Sequence, residues 1–358
     1  MYSSNSEAVI DEVLPRKAKT SIFFTKLFNY EYWPVWIVFF SAIFSYIYYS
    51  VKTRSLTYFT ATNPGIELGG FYGESKSEIL KMIPGKYLPQ TIFITPNSPV
   101  ASVLNVMRDN NIDFPVICKP DKGERGFMVE KVTGTGELEQ YLKRYDGKLI
   151  IQEFVTFETE LGILYYRYPD GKKSGISSVV KKNFMGVTGD GTSTIEQLMM
   201  QNPRSHMHIS SFREKSAALL SEVLPAGRYV LLQPIGNHCR GTEFLNGSHL
   251  VNKKLVEVFD TIAAQMEGFY FGRFDVKIRS EAAMYNGEGI RIMEVNGVSS
   301  EPGHIYDRNM NIFKAWRAII HNASIVGEIA IQNHKKGIRY LPLTQVIKTV
   351  YRHFRDQK

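Results

Sequence analysis

At 358 residues, 44% of them hydrophobic and 22% charged, the chain has the make-up of a globular protein with room for two or three domains. Two cysteines, Cys118 and Cys239, exclude a disulfide framework and a cysteine-rich metal site, and they fit a reducing compartment. The net charge of +8 points to an anionic partner, a phosphorylated small molecule or anionic lipid. Nucleic acid is set aside, because no helix-turn-helix, zinc-finger or RNA-binding aromatic pattern is present.

Taken in order, residues 1–29 form a polar lead-in of mixed charge. Residues 30–52 are expected to form a hydrophobic helix. It opens at Pro34 and carries no charge from Trp33 to Val51, near the lower limit for spanning a bilayer. Tyrosines and tryptophans crowd both of its ends, as in interfacial belts. A signal peptide is disfavoured by the late start and the missing cleavage site. A span, a helix lying in the interface and a helix packed on the protein stay open, since Lys26, Lys52 and Arg54 flank both sides. Membrane association through 33–51 is the expectation.

Ser55–Asn63 is expected to be a strand that runs into a glycine-rich loop, with a helix over 74–83. Gln90–Ile94 is a further strand, and apolar spacing predicts a helix over Ser98–Asn110. Then a strand from Phe114 ends at Lys119-Pro120, and a loop carrying Gly123 and Gly126 follows. Such a loop can close its backbone N–H groups over a phosphate, with Lys119 adding fixed charge. A helix over Gly136–Arg144 leads to strands over Lys148–Val155 and Glu158–Arg167.

Near the end, Gly272–Ile278 and Arg291–Gly297 form a strand pair joined by the polar segment Ser280–Gly289. Glu294 and Asn296 share a strand face, and Asp275 can face them from the partner. Two carboxylates and an amide oxygen suit Mg²⁺. Cys118, in an apolar run, is a core residue rather than a nucleophile. In the tail, residues 343–355 are expected to form an amphipathic helix with Val346, Ile347, Val350 and Phe354 on one face.

The order of these motifs resembles the ATP-grasp superfamily, in particular the branch of D-alanine–D-alanine ligase and cyanophycin synthetase. The resemblance runs from Ser55 to Ala323 and rests on FPVICKP with DKGERG, LIIQEFV, ETELGILYY, VTGDGTSTIEQL, and GRFDVKI with IMEVNG. It implies an α/β fold with a Rossmann-like pre-grasp domain (53–97), a small α/β lobe (98–155) and a large α/β lobe (156–330). The lobes would carry antiparallel sheets, and a basic tail (331–358) would follow.

It further implies ATP and Mg²⁺ (or Mn²⁺) as cofactors. Nucleotide contacts fall to Lys76, Lys119, the loop Gly123, Glu124, Arg125 and Gly126, the hinge Glu153, Phe154 and Val155, and Glu160. Of Lys181 and Lys182, one resembles the large-lobe lysine that reaches the nucleotide. Asp275, Glu294 and Asn296 look like the metal ligands, and Arg273 like the arginine that stabilises the transferring phosphoryl group. Arg240 is a candidate carboxylate clamp. His304, in SSEPGHIYD, either touches substrate or sits on a surface loop.

The implied reaction is carboxylate–amine or carboxylate–thiol ligation through an acylphosphate, on small-molecule or peptide substrates, at the cytoplasmic side of a membrane. A kinase acting on a hydroxyl or sugar, and a non-catalytic ATP-binding scaffold, are the alternatives. A homodimer is left open. The long Asp275–Glu294 segment and the stretched run after Asn296 depart from the compact ligases, so the acceptor is where this chain differs.

Overall fold

The structure, a computed structural model, describes residue 24 and residues 27–123, 126–233, 236 and 241–356. The chain divides into two compact units, one of residues 1–29 with 184–234, the other of 30–183 with 235–358. The strands of the described residues, in order, are β1 (Thr91–Ile94), β2 (Val116–Pro120), β3 (Glu130–Val132), β4 (Leu149–Glu153), β5 (Thr159–Arg167), β6 (Ser174–Asn183), β7 (Gly186–Thr188), β8 (Tyr229–Leu231), β9 (Glu243–Asn246), β10 (Phe271–Ile278) and β11 (Ile290–Asn296).

The larger unit holds two antiparallel sheets. The smaller runs β1-β4-β2-β3, the larger β11-β10-β5-β6-β9. Helices Val100–Asp109 and Thr135–Arg144 bury Val103, Met107, Leu138 and Tyr141 against the smaller sheet, where Ile92, Val116 and Ile151 meet them. On the larger sheet, alternation sends Phe274, Val276 and Ile278 of β10 and Leu161, Ile163 and Tyr165 of β5 to one face. Helix Lys253–Ala264 covers that face with Leu255, Phe259 and Ile262. The opposite face is left to Arg273, Asp275 and Lys277 of β10. It is closed at one end by helix Ile312–Lys335, which packs Ile325 and Ile329 on Leu164 and Tyr166.

The smaller unit pairs β7 with β8. Its helix Ile195–Gln201 starts with a capping box, Thr194 and Gln197 each satisfying the other's backbone N–H. Ile195, Leu198 and Met199 form its core with Ile209, Leu220 and Leu224.

Three expectations are corrected, over Ser55–Asn63, the 53–97 sheet and the 30–52 helix, and a fourth, the hairpin of Asp275–Glu294, gains a detail. Ser55–Asn63 is not a strand: Tyr58–Ala61 is a turn of 3₁₀ helix, and Asn63 is buried with its amide bonded to the backbone of Gly69 and Phe271. No Rossmann-like sheet is found over 53–97 among the described residues. The only strand there, β1, joins the smaller sheet antiparallel to β4. The segment between Asp275 and Glu294 is a hairpin closed by a helix, Glu281–Tyr285, capped by Ser280.

The single hydrophobic helix expected over 30–52 is also not formed. A 3₁₀ turn at Tyr30–Tyr32, a short helix Val35–Val38 and a helix Phe40–Thr53 replace it, with a break at Phe39. No described helix is long and apolar enough to cross a membrane. In the tail, helix Leu343–Asp356 forms, with Val346 turned inward but Ile347 turned out.

Candidate nucleotide and metal site

The site is built on the open face of the larger sheet, where antiparallel register sets the neighbours. Asp275 lies opposite Glu294 on β11 and opposite Gly162 on β5; Arg273 lies opposite Asn296. Lys277 lies opposite Glu160, which in turn lies opposite Lys182 on β6. Directly opposed residues share a face, so this register gathers every one of these side chains on one surface. Gly162 keeps the middle open: a Cβ there would meet Val180 at 2.8 Å and Asp275 Oδ1 at 3.3 Å.

The charges are mutually paired. Arg273 donates to Asp275 through Nε at 3.2 Å and Nη2 at 3.3 Å. Lys182 Nζ donates to Glu160 at 2.7 Å and lies 3.3 Å from Asp275 Oδ1. Asp275 is only 5% exposed. Burial alone would raise its pKa, but Arg273 and Lys182 outweigh burial and hold the carboxylate below its ordinary range. Burial likewise pulls Lys182 down, and Asp275 and Glu160 overcome that, so both partners stay charged.

Two lysines reach this face from outside the larger sheet. Lys119, at the end of β2, donates at 2.8 Å to Gln152 and at 2.8 Å to the Met293 carbonyl of β11, tying the two sheets together. Met293 is the residue skipped where the β10–β11 register shifts. Burial pushes the Lys119 pKa down to about 8, with Glu294 working the other way. Lys76 stands at the start of helix Lys76–Lys81. Buried Asp121 fixes that start by accepting from Ser75 Oγ and from the Ser77 N–H at 2.7 Å. From there Lys76 Nζ reaches the Gly123 carbonyl and lies 3.6 Å from Glu294.

At the hinge, two cations approach the Phe154 ring, Lys131 at 4.0 Å and Lys277 at 5.5 Å from its centre. Lys277 donates to the Val155 carbonyl at 3.1 Å. Glu153 lines a cavity of about 360 Å³ with Leu88, Phe93 and Arg291.

Asp275, Glu294 and Asn296 form a hard-oxygen set of the kind Mg²⁺ takes. Among the described residues no group of three or more His, Cys, Asp or Glu is gathered, so the amide is needed to complete it. The residues fit a metal with attached phosphates in one further respect. Asn296 Nδ2 is buried without a hydrogen-bond partner, a donor whose burial is costly until something accepts from it.

The site thus brings together Lys76, Lys119, Glu160, Lys182, Arg273, Asp275, Glu294 and Asn296. It leaves out Lys181: alternation along β6 turns this side chain, exposed, to the other face of the sheet. Glu124, Arg125 and Arg240 lie outside the described residues, while Gly126 closes a turn by accepting from the Val129 N–H. Three participants were missed from sequence. Lys277 carried a signal, since it is two residues on from Asp275 and must share its face. Asp121 and Gln152 act through partners far along the chain and carried none. His304 belongs beside this face. Its Nδ1 lies 2.7 Å from Ser178 Oγ on β6, and burial lowers its pKa.

No family model and no curated protein matches the chain. Among solved structures it is similar to the VanG D-Ala:D-Ser ligase of Enterococcus faecalis at 13% identity and a TM-score of 0.39, over 70% of this chain and 61% of that one. It is similar to D-alanine–D-alanine ligase of Bacillus anthracis at 14% identity and a TM-score of 0.42, over 74% and 69%. A bifunctional glutathione synthetase of Pasteurella multocida matches at 15% identity and a TM-score of 0.37, over 68% and 35%. The chain therefore spans about three fifths of the first of these and a third of the last. All three likenesses are distant, and the functional reading rests on the site's own residues.

Proposed function

We propose that this chain is an ATP- and Mg²⁺-dependent ligase that joins a carboxylate to an amine or thiol through an acylphosphate. One observation carries the reading: four cations, Lys76, Lys119, Lys182 and Arg273, converge on two carboxylates and an orphaned amide on a single sheet face. Phosphoryl transfer asks for that, because it depends on positioning and charge neutralisation more than on covalent help from the protein.

In this reading the hinge and the ring of Phe154 seat the base, and Glu160 accepts from the ribose hydroxyls. Lys119 and Lys76 hold the phosphate chain. Asp275, Glu294 and Asn296 hold Mg²⁺, which supplies Lewis-acid neutralisation of the phosphate oxygens. A substrate carboxylate oxygen attacks the γ-phosphorus and the bond to ADP breaks. Arg273 and Lys182 neutralise the charge spread over the transferring group. The acceptor's nitrogen or sulfur then attacks the acyl carbon, its proton is lost, and phosphate leaves.

The test is ADP release over pools of carboxylates and amines. ADP and phosphate appearing only when both pools are present support the ligase. AMP as the product overturns the acylphosphate, and a stable phosphoester assigns the site to a kinase.

A further inference from the structure

Helix Phe40–Thr53 is inside out. Phe40, Ile43, Phe44, Ile47 and Val51 recur at the spacing that makes one helix stripe, and all five are exposed, Val51 at 73%. The inward stripe is Ser41, Ser45 and Tyr49. It lies along helix Ile312–Lys335: Ser41 donates to the Trp316 carbonyl, and Tyr49 OH donates to Glu328 at 3.0 Å. An ordinary surface helix does the reverse.

The apolar surface continues across the neighbouring helix. The Phe40 ring lies 6.1 Å from Trp316, and Trp316 5.7 Å from Phe313, which is itself exposed. Phe313, Arg317 and Ile320 share one exposed helix face. Before them, Val35 and Trp36 are exposed by about two thirds.

The unpaired exposed charge of the two segments that build this surface has one sign. Arg54, Arg308, Lys314 and Arg317 are exposed. The acids of residues 30–56 and 308–328 are Glu31, which is buried, and Glu328, which is paired with Lys52. Exposed aromatic and branched side chains on segments whose free charge is basic are what the interface of an anionic bilayer accepts. The helix has 14 residues, or about 21 Å at 1.5 Å each, too short for a hydrocarbon core of about 30 Å.

We propose that the outward face of Phe40–Thr53, with Trp36, Phe313 and Ile320, seats this protein on an anionic membrane surface, the helix lying in the plane of the headgroups. On the proposed ATP-dependent function, and only on it, that surface would face the cytoplasm. The membrane contact is then a docking surface, independent of the ligase reading.

Co-sedimentation of the full chain with phosphatidylcholine vesicles, with and without phosphatidylserine, tests it. All three tryptophans, Trp33, Trp36 and Trp316, lie in this region, so their emission should shift to the blue on binding. Binding is expected only with phosphatidylserine and should weaken with added salt. Ile47→Glu should abolish it. Lys314→Gln and Arg317→Gln, on the other helix, should each weaken it about fivefold. ATP binding should be unchanged in all three, which also reports that they fold. Equal binding to both vesicles, or none, overturns the proposal, as does binding that survives Ile47→Glu. A dimer in sedimentation that Ile47→Glu dissociates, without vesicle binding, assigns the face to a second copy and overturns it too.

Discussion

Two regions of the larger unit break the rule of burial in opposite directions. On β10, Asp275 and Arg273 are taken into the protein with Lys182, where charges are costly. On helix Phe40–Thr53, five apolar side chains are left in water while Ser41 and Ser45 are buried. Neither choice helps the chain fold, and such violations gather where something binds. The two differ in how they are held. The buried charges neutralise one another through hydrogen bonds and keep a fixed geometry, as a site for triphosphate must. The exposed apolar stripe has no such network, and a fluid surface asks for none. Specific chemistry needs the first arrangement, and adhesion needs only the second.

Breaking the buried pairing should have the largest effect. Asp275→Ala leaves Arg273 and Lys182 facing each other without their shared counter-charge. Removing one partner of a buried pair costs about 3–5 kcal/mol. Asp275→Ala should therefore lower the thermal midpoint markedly and end ATP turnover. Asp275→Asn, which keeps the shape and one acceptor, should recover much of the stability but not the turnover. Differential scanning calorimetry beside an ADP assay separates the two. If Asp275→Ala unfolds no earlier than the parent chain, the cluster is not the buried network described.

Lys119 gives a pH-dependent version of the same test. Its folded pKa, about 8, lies below the ordinary lysine value. In that window the unfolded chain binds the extra proton, so stability rises with pH between about 8 and about 10. The rise amounts to about 3 kcal/mol at most. ATP affinity should move the opposite way, falling as Lys119 loses its charge above pH 8. Lys119→Met should remove both slopes. Urea titrations of the two proteins at pH 7 and pH 10, with nucleotide binding measured alongside, check the sign.

How much of this was legible in sequence follows from what each feature depends on. Glu294 and Asn296 were legible because strand alternation puts them on one face, with Asp275 able to face them from the partner strand; Arg273 was legible only through the family resemblance. Lys119 was legible because a lysine ending a strand before a glycine loop has few places to go. Lys181 and Lys182 could not be separated, because which of two adjacent residues turns inward depends on register, and register is set across strands. The pre-grasp segment misled because Ser55–Asn63 carries strand-type residues, while Asn63 and the chain around it are held by tertiary bonds to Gly69, Tyr270 and Phe271. The segment 30–52 misled in a similar way. Its hydrophobicity was plain, but the break at Phe39 and the direction of its serines appear only when helix Ile312–Lys335 is in place.

That last feature yields the smaller effects. Gly327 sits where the two helices touch: a Cβ there would meet the Tyr49 ring at 2.3 Å. The ring cannot easily yield, because its hydroxyl is bonded to Glu328 and its centre lies 5.9 Å from that of the tilted Tyr58 ring. Gly327→Ala should thus cost about 1–3 kcal/mol, as overpacking does, and should raise protease cleavage in the 30–52 segment. Ile47→Ser, on the other side of the same helix, should shift stability by no more than about 0.5 kcal/mol, because an exposed side chain gives up almost no packing. Chemical denaturation of both variants decides the point. A loss at Ile47 as large as at Gly327 would mean that the outward stripe is covered within the chain itself. A loss at Gly327 alone leaves that stripe with no role in folding, and its hydrophobicity then has to be explained by what it meets outside.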